Sequence, residues 1–129
     1  MKKKIFFTLL TLLNMGLIFF FSSQNGQQSN ITSDFVAKFI PLSIFIIRKS
    51  AHFLIYALLE FNTYQMLKSY NIHRAFLFSL LICILYAISD EWHQSFSNGR
   101  SPQARDVCID TLGSLFMISL LKLKDKSMK

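Results

Sequence analysis

Residues 5–21 contain no charged side chain, and this feature constrains the fold more than any other in the sequence. At a helical rise of about 1.5 Å per residue the run extends about 25 Å, close to the hydrocarbon thickness of a bilayer. The run therefore predicts a helix that spans the membrane with little tilt. Lys2, Lys3 and Lys4 resemble the start of a signal peptide, but the run exceeds the usual apolar region and no convincing cleavage site follows it. We expect an uncleaved anchor.

The composition is typical of a membrane protein. Of the 129 residues, 52% are hydrophobic and only 16% are charged, which is too apolar for a disordered tail or an ordinary soluble domain. The length allows one domain, which we assign to residues 1–129.

Three further apolar stretches with helical patterns follow, at residues 50–67, 75–89 and 107–121. The segment between the first and second spans is mixed in polarity, and Ile40 and Pro41 are expected to break any helix there. The predicted fold class is all-α: a four-helix transmembrane bundle with a short surface segment between helices one and two.

The basic residues are distributed unevenly between the two sides that four spans would create. Nine lie on the side of both termini: Lys2, Lys3, Lys4, Lys68, Arg74, Lys122, Lys124, Lys126 and Lys129. Five lie on the other side: Lys38, Arg48, Lys49, Arg100 and Arg105. Cytoplasmic loops collect Lys and Arg, so we predict a multi-pass protein of the cell membrane with both termini cytoplasmic. The net charge of +7 then reflects topology, and no compact basic face indicates nucleic-acid binding.

Ionisable and polar residues collect at the non-cytoplasmic end of the predicted bundle. On the second span, Lys49, His52, Tyr56 and Glu60 are spaced by three or four residues and so share one helix face. The third and fourth spans and their connection add further members: Asp90, Glu91, His93, Gln94, Arg100, Arg105, Asp106 and Asp110. Mutual neutralisation of buried charges would explain part of this set, but such crowding also indicates a functional site.

The basic residues of this set suggest that Lys49, Arg100 and Arg105 bind an anionic group. Asp90, Glu91 and Asp106 would orient those cations and His93, and His52 or His93 would transfer protons if a reaction occurs. Tyr56, Gln94 and Asp110 are the remaining candidate ligand-binding residues. Both a binding protein and an enzyme fit this set. The expected partner is a membrane lipid or a lipid-linked envelope precursor.

The spacing along the chain argues against a metal site. Glu91-Trp92-His93 is not a His-Glu-x-x-His arrangement, and the two cysteines form no Cys-x-x-Cys pair. We therefore expect no metal and no other cofactor.

Two blocks of the sequence resemble the VanZ-like family of small polytopic membrane proteins. One is Asp90-Glu91-Trp92-His93-Gln94-Ser95-Phe96 with Gly99-Arg100 and Asp106-Val107 after it; the other is Arg48-Lys49-x-x-His52-x-x-x-Tyr56. The resemblance covers roughly residues 45–120. The matching positions are Lys49, His52, Tyr56, Asp90, Glu91, His93, Gln94, Arg100, Asp106 and Gly113.

The resemblance implies a four-helix membrane protein. The family's named member confers low-level resistance to the glycopeptide antibiotic teicoplanin. A glycopeptide is therefore a further expected partner. The sequence departs from the pattern at two places. Ser97-Asn98 stands where a hydrophobic-Pro pair often precedes Gly-Arg, and Asp110 stands where the family often has Asn.

Two other functions fit parts of the sequence. A small proton-coupled multidrug exporter would use Glu60 as its membrane acid. A structural membrane subunit would instead pack against an envelope enzyme and need no reactive site.

Overall fold

A computed structural model describes the chain over residues 1–24, 26–40, 42–96 and 103–127. Within these ranges the chain forms five helices and no strand. They are α1 (Lys2–Ser23), α2 (Gly26–Ala37), α3 (Ile44–Ser69), α4 (Ala75–Gln94) and α5 (Ala104–Ser127). The all-α prediction is confirmed for the described residues.

Local sequence signals fix the two ends of α3. Ser43 caps its start, where the hydroxyl accepts a hydrogen bond from the Ile46 N–H at 3.4 Å. A tight turn follows its end, in which Asn71 (φ 59°) and Arg74 (φ 58°) take left-handed backbone conformations. Asn tolerates this region because its short polar side chain can bond locally. The turn reverses the chain, and α4 packs back against α3.

Helix α3 is the central element of the bundle. Its most extensive contact is with α5, and it also packs against α1, α4 and α2. One apolar cluster joins Ile18 of α1 to Tyr56 and Leu59 of α3 and to Cys83 and Ala87 of α4. A second, at the opposite end, is built from Tyr64, Ala75 and Ile118. Residues that sit on α3 are thereby surrounded by other helices.

The distribution of polar and apolar side chains is opposite to that of a soluble bundle. Glu60, Asp110 and Ser114 are buried, while Leu54 is 65% exposed and Leu85 is 58% exposed. Large apolar side chains are also exposed along α1 and α5. Water as the solvent would favour the reverse arrangement, whereas lipid favours polar groups turned toward the bundle interior.

The predicted spans at 5–21, 50–67, 75–89 and 107–121 lie inside α1, α3, α4 and α5. Each helix is longer than its predicted span, because the apolar criterion stops at the first charged residues. Helix α4 was expected to end at Asp90 and Glu91, but it continues to Gln94. The acidic side chains there are buried and hydrogen-bonded, Asp90 to Gln94 of the same helix and Glu91 to the Gln103 N–H, which makes their place in the helix tolerable.

Two of the described helices, α1 and α4, are long and apolar enough to cross a membrane. Helices α3 and α5 carry the ionisable residues of the site and do not meet that criterion. The crossing of the membrane by all four long helices therefore stays a prediction.

The segment between the first two spans contains a helix that the sequence patterns did not predict. Helix α2 packs against α3, while its Ile31 and Phe35 are exposed. It ends at Ala37, before the expected break at Ile40; Pro41 lies outside the described residues.

Candidate functional site

Three helices bring one ionisable side chain each to a common point. His52 of α3, Asp90 of α4 and Asp110 of α5 place a nitrogen or oxygen within 4.8 Å of one another. His52 Nδ1 lies 3.1 Å from Asp110 Oδ1. Asp90 is 5% exposed and Asp110 is 1% exposed. We call His52, Asp90 and Asp110 the three-helix cluster.

An ion pair between Lys49 and Asp106 lies one helical turn nearer the end of the bundle. Asp106 and Asp110 are four residues apart on α5 and face Lys49 and His52, three residues apart on α3. Two matched contacts therefore connect the two helices. The close approach that they require depends on Gly113, because a Cβ there would overlap the backbone carbonyl of Phe53.

Helix α4 continues the polar network toward α1 and toward the start of α5. The Gln94 side-chain amide donates hydrogen bonds to Asp90 Oδ2 at 3.1 Å and to Ser22 Oγ at 3.3 Å. Glu91 Oε1 accepts a hydrogen bond from the Gln103 N–H at 2.6 Å, just before α5 begins. Gln94 thus connects α4 to α1, and Glu91 connects it to the residue before α5.

Three buried polar atoms near the cluster lack a hydrogen-bond partner within the described ranges. They are the Tyr56 hydroxyl, Asp110 Oδ2 and Glu91 Oε2. Tyr56 is fully buried, and its nearest ionisable neighbours include Asp90 and Asp110. Unpartnered buried polar atoms cost about 1–3 kcal/mol each. Others lie away from the cluster, on Asn14, Glu60 and Thr63, but the three here could each contact a bound ligand or ion.

A cavity of about 250 Å³ opens beside the cluster, between α1, α2 and α3. Most of its wall is apolar and comes from Ile18, Phe21, Val36 and Ile55, among others. Polar side chains contribute the remainder: Ser22, Gln24, Ser33, Arg48, His52 and Tyr56. We call this space the α1–α3 cavity. His52 belongs both to its wall and to the three-helix cluster.

His93 lies one turn beyond Asp90 on α4 and contacts α1 rather than the three-helix cluster. Its ring stacks on Phe19 with centroids 4.4 Å apart, and its Nε2 lies 3.1 Å from Ser23 Oγ. His93 and Asp90 together line a smaller cavity of about 170 Å³. Tyr86 lines the same cavity, so Tyr86, Asp90 and His93 share one face of α4.

The structure brings together most of the site residues that the sequence indicated. Around the cluster and its rim lie Lys49, His52, Tyr56, Asp90, Glu91, Gln94, Asp106 and Asp110. Arg105 lies at the rim, where it donates to Gln103 Oε1 at 2.9 Å and sits 5.7 Å from the centre of the Phe45 ring. Arg100 lies outside the described residues. Glu60 is two turns farther along α3 and accepts a hydrogen bond from Ser79 Oγ at 2.5 Å.

The candidate set from the sequence omitted Arg48, Ser22 and the whole of α2. Arg48 precedes His52 by four residues, so helical spacing already placed both on one face. No sequence pattern indicated that α2 would form part of the cavity wall. Its contact with α3 arises only when the polar segment between the first two spans folds back.

A profile of the VanZ/LLP1 family matches residues 7–125, nearly the whole chain. The chain belongs to the VanZ/LLP1 family. No curated protein and no solved structure matches it. Family membership and the two apolar helices α1 and α4 together indicate a membrane protein. In this VanZ/LLP1 chain the matched region contains the three-helix cluster and every described residue that lines the α1–α3 cavity.

Proposed function

We propose that this VanZ/LLP1 protein binds an anionic amphiphile in the outer leaflet of the cell membrane, either a membrane lipid or a lipid-linked envelope precursor. The observation that carries the proposal is the α1–α3 cavity, which combines an apolar wall with Arg48 and His52. The apolar chain of the ligand would occupy the wall formed by α1, α2 and α3. Its anionic group would lie at Arg48.

The size of the cavity supports partial rather than complete enclosure of such a ligand. At about 250 Å³ it is slightly smaller than the roughly 300–1,000 Å³ of pockets that bury whole drug-sized ligands. A lipid would therefore insert part of one chain and leave the rest in the bilayer. Exposed apolar side chains on α2, such as Ile31, would be in contact with that surrounding lipid.

The charges at the site support different roles for the neighbouring basic residues. Lys49 is paired with Asp106, so its charge is already neutralised and it would position α5 rather than hold the ligand. Arg48 has no described carboxylate partner, and it lines the cavity. Arg105 and Arg100 would attract the anion at the rim. His52 would donate or accept a proton if the bound group reacts, with His93 and Asp90 in the neighbouring cavity as the second candidates.

The proposal includes four membrane crossings with both termini in the cytoplasm, which would open the α1–α3 cavity toward the outer leaflet. The family's association with teicoplanin then gives an expected cellular effect. A protein that binds or chemically modifies anionic amphiphiles at that surface would lower the susceptibility of the cell to teicoplanin-type glycopeptides.

A lipid-binding measurement tests the proposal. Purified protein in detergent would be titrated with fluorescent phosphatidylglycerol and with phosphatidylcholine of the same acyl chains. We expect tighter binding of the anionic lipid and a loss of about tenfold in the Arg48→Ala variant, because a charge-assisted hydrogen bond contributes about 1.5–3 kcal/mol.

The matched control is Arg74→Ala, since Arg74 lies in the α3–α4 turn at the opposite end of the bundle. It should bind both lipids like the wild type. Equal affinity for the two lipids, or equal loss in both variants, would refute the proposal.

A further inference from the structure

We propose that His52, Asp90 and Asp110 bind a divalent cation of the zinc or manganese type. The inference stands on the three-helix cluster itself and does not depend on the proposed amphiphile. It also departs from the expectation drawn from the sequence, where no metal-binding motif was found. The three candidate ligands come from three different helices. Their spacing along the chain therefore forms no recognisable metal-binding motif.

The separation of the donor atoms fits a metal centre. Zinc takes nitrogen and oxygen ligands at about 2.0–2.2 Å, which places neighbouring donors of a tetrahedral site about 3.3–3.6 Å apart. His52 Nδ1 and Asp110 Oδ1 are 3.1 Å apart, and all three donors lie within 4.8 Å of one another. Small side-chain rotations would therefore complete the coordination.

The local charge favours a bound cation. Asp90, Glu91, Asp106 and Asp110 gather around the site, and within the described residues the ion pairs there join Lys49 to Asp106 and His52 to Asp110. Asp90 and Glu91 have no salt bridge within the described ranges. Each accepts a hydrogen bond, from Gln94 and from the Gln103 N–H respectively, but a buried carboxylate without a counter-charge is unfavourable, and a divalent cation would offset the excess negative charge.

The unpartnered atoms at the cluster are independent support. Tyr56 is fully buried, and its hydroxyl has no hydrogen-bond partner in the described part of the chain although Asp90 and Asp110 are its neighbours. Asp110 Oδ2 is also buried and has no hydrogen-bond partner among the described residues. A cation between the carboxylates would use Asp110 Oδ2 as a ligand, and the Tyr56 hydroxyl could then donate to a ligating carboxylate.

The ligand types select the class of cation. One imidazole nitrogen with two carboxylates suits zinc, manganese or iron, whereas calcium and magnesium prefer oxygen ligands alone. Asp110→Asn is nearly isosteric and removes only the carboxylate charge, so this variant should keep the packing of α5 against α3.

A cation at this point would also affect the α1–α3 cavity, because His52 belongs to both. An anionic group that entered beside Arg48 would approach the metal from the His52 side. The metal would then add to the attraction for the anion, but it would bind in the absence of any ligand.

The test uses untagged, chelator-treated wild-type protein in detergent. Equilibrium dialysis with zinc, manganese, magnesium or calcium should give one zinc or manganese per chain and much weaker binding of the other two. The Asp110→Asn and His52→Gln variants should bind at least about 100-fold more weakly, because the first loses the charge of a ligating carboxylate and the second loses the imidazole ligand; substitutions of outer-shell partners alone typically cost about 10–100-fold.

Matched controls separate the cluster from other candidate ligands. Asp125→Asn removes a carboxylate at the opposite end of the bundle, where Asp125 accepts from Tyr64 and Lys68. His73→Gln and His93→Gln remove the other two histidines. All three controls should keep the wild-type affinity.

A spectroscopic readout keeps the test decisive if a variant is unstable. The pulsed electron paramagnetic resonance spectrum of the manganese-loaded wild type should show coupling to a histidine nitrogen, and His73→Gln and His93→Gln should retain it. Absence of stoichiometric metal in the wild type, or binding unchanged in both Asp110→Asn and His52→Gln, would overturn the proposal. Loss of nitrogen coupling in His93→Gln would overturn it as well.

Discussion

At the scale of single residues, Glu60 separates the proposed function from the exporter alternative. Its carboxylate is fully buried, accepts from Ser79, and lines none of the cavities described above. We therefore expect Glu60→Gln to leave anionic-lipid binding unchanged, since Gln keeps an acceptor for the Ser79 hydroxyl. Accumulation of a cationic dye in cells should likewise be unaffected by this substitution. A dominant effect of Glu60→Gln on dye accumulation, dependent on the proton gradient, would favour the exporter.

The residue scale also shows what spacing rules can predict. Lys49, His52 and Tyr56 were assigned to one face of a helix, and all three contribute to the site or its rim. Distances between residues on different helices do not follow from such rules. That is why the sequence indicated Lys49 as the anion-binding residue and omitted Arg48, whereas pairing with Asp106 neutralises Lys49 and Arg48 lines the cavity.

At the scale of elements, the contact between α3 and α5 determines whether the site can form. Gly113 allows this contact, because a Cβ there would overlap the Phe53 carbonyl. Gly113→Ala should therefore destabilise the protein by about 1–3 kcal/mol, and it should lower the apparent Tm in detergent.

Gly16 of α1 offers a matched control, since no atom lies within 4 Å of the Cβ that Ala would add. Gly16→Ala should leave the Tm unchanged or raise it, because Ala is favoured over Gly in a helix by up to about 1 kcal/mol. Equal Tm values for the two variants would show that the close α3–α5 contact is absent.

The elements were largely predictable, and their limits were not. Long apolar runs located α1, α3, α4 and α5, because burial in lipid or in a bundle needs such runs. The predicted span for α4 stopped at the first acidic residue, Asp90, so the sequence did not predict that the helix continues to Gln94. Helix α2 lacked a long apolar run, and its contact with α3 is a tertiary feature.

At the scale of the whole molecule, buried acids and exposed Leu and Phe side chains indicate that the solvent is lipid. The polar end of the bundle is where α1 and α4 finish and where α3 and α5 begin, so an amino terminus in the cytoplasm would direct the α1–α3 cavity outward. The uneven distribution of Lys and Arg predicts that orientation. The function that we propose requires it.

Cysteine labelling measures this orientation. In a background with Cys83→Ser and Cys108→Ser, one cysteine would replace Ala51, which is exposed in the wall of the α1–α3 cavity. A second variant would carry it at His73, in the exposed α3–α4 turn. A charged, membrane-impermeant maleimide should label Ala51→Cys in intact cells and His73→Cys only after permeabilisation. Labelling of Ala51→Cys only after permeabilisation would contradict an outward-facing cavity and with it the proposed function.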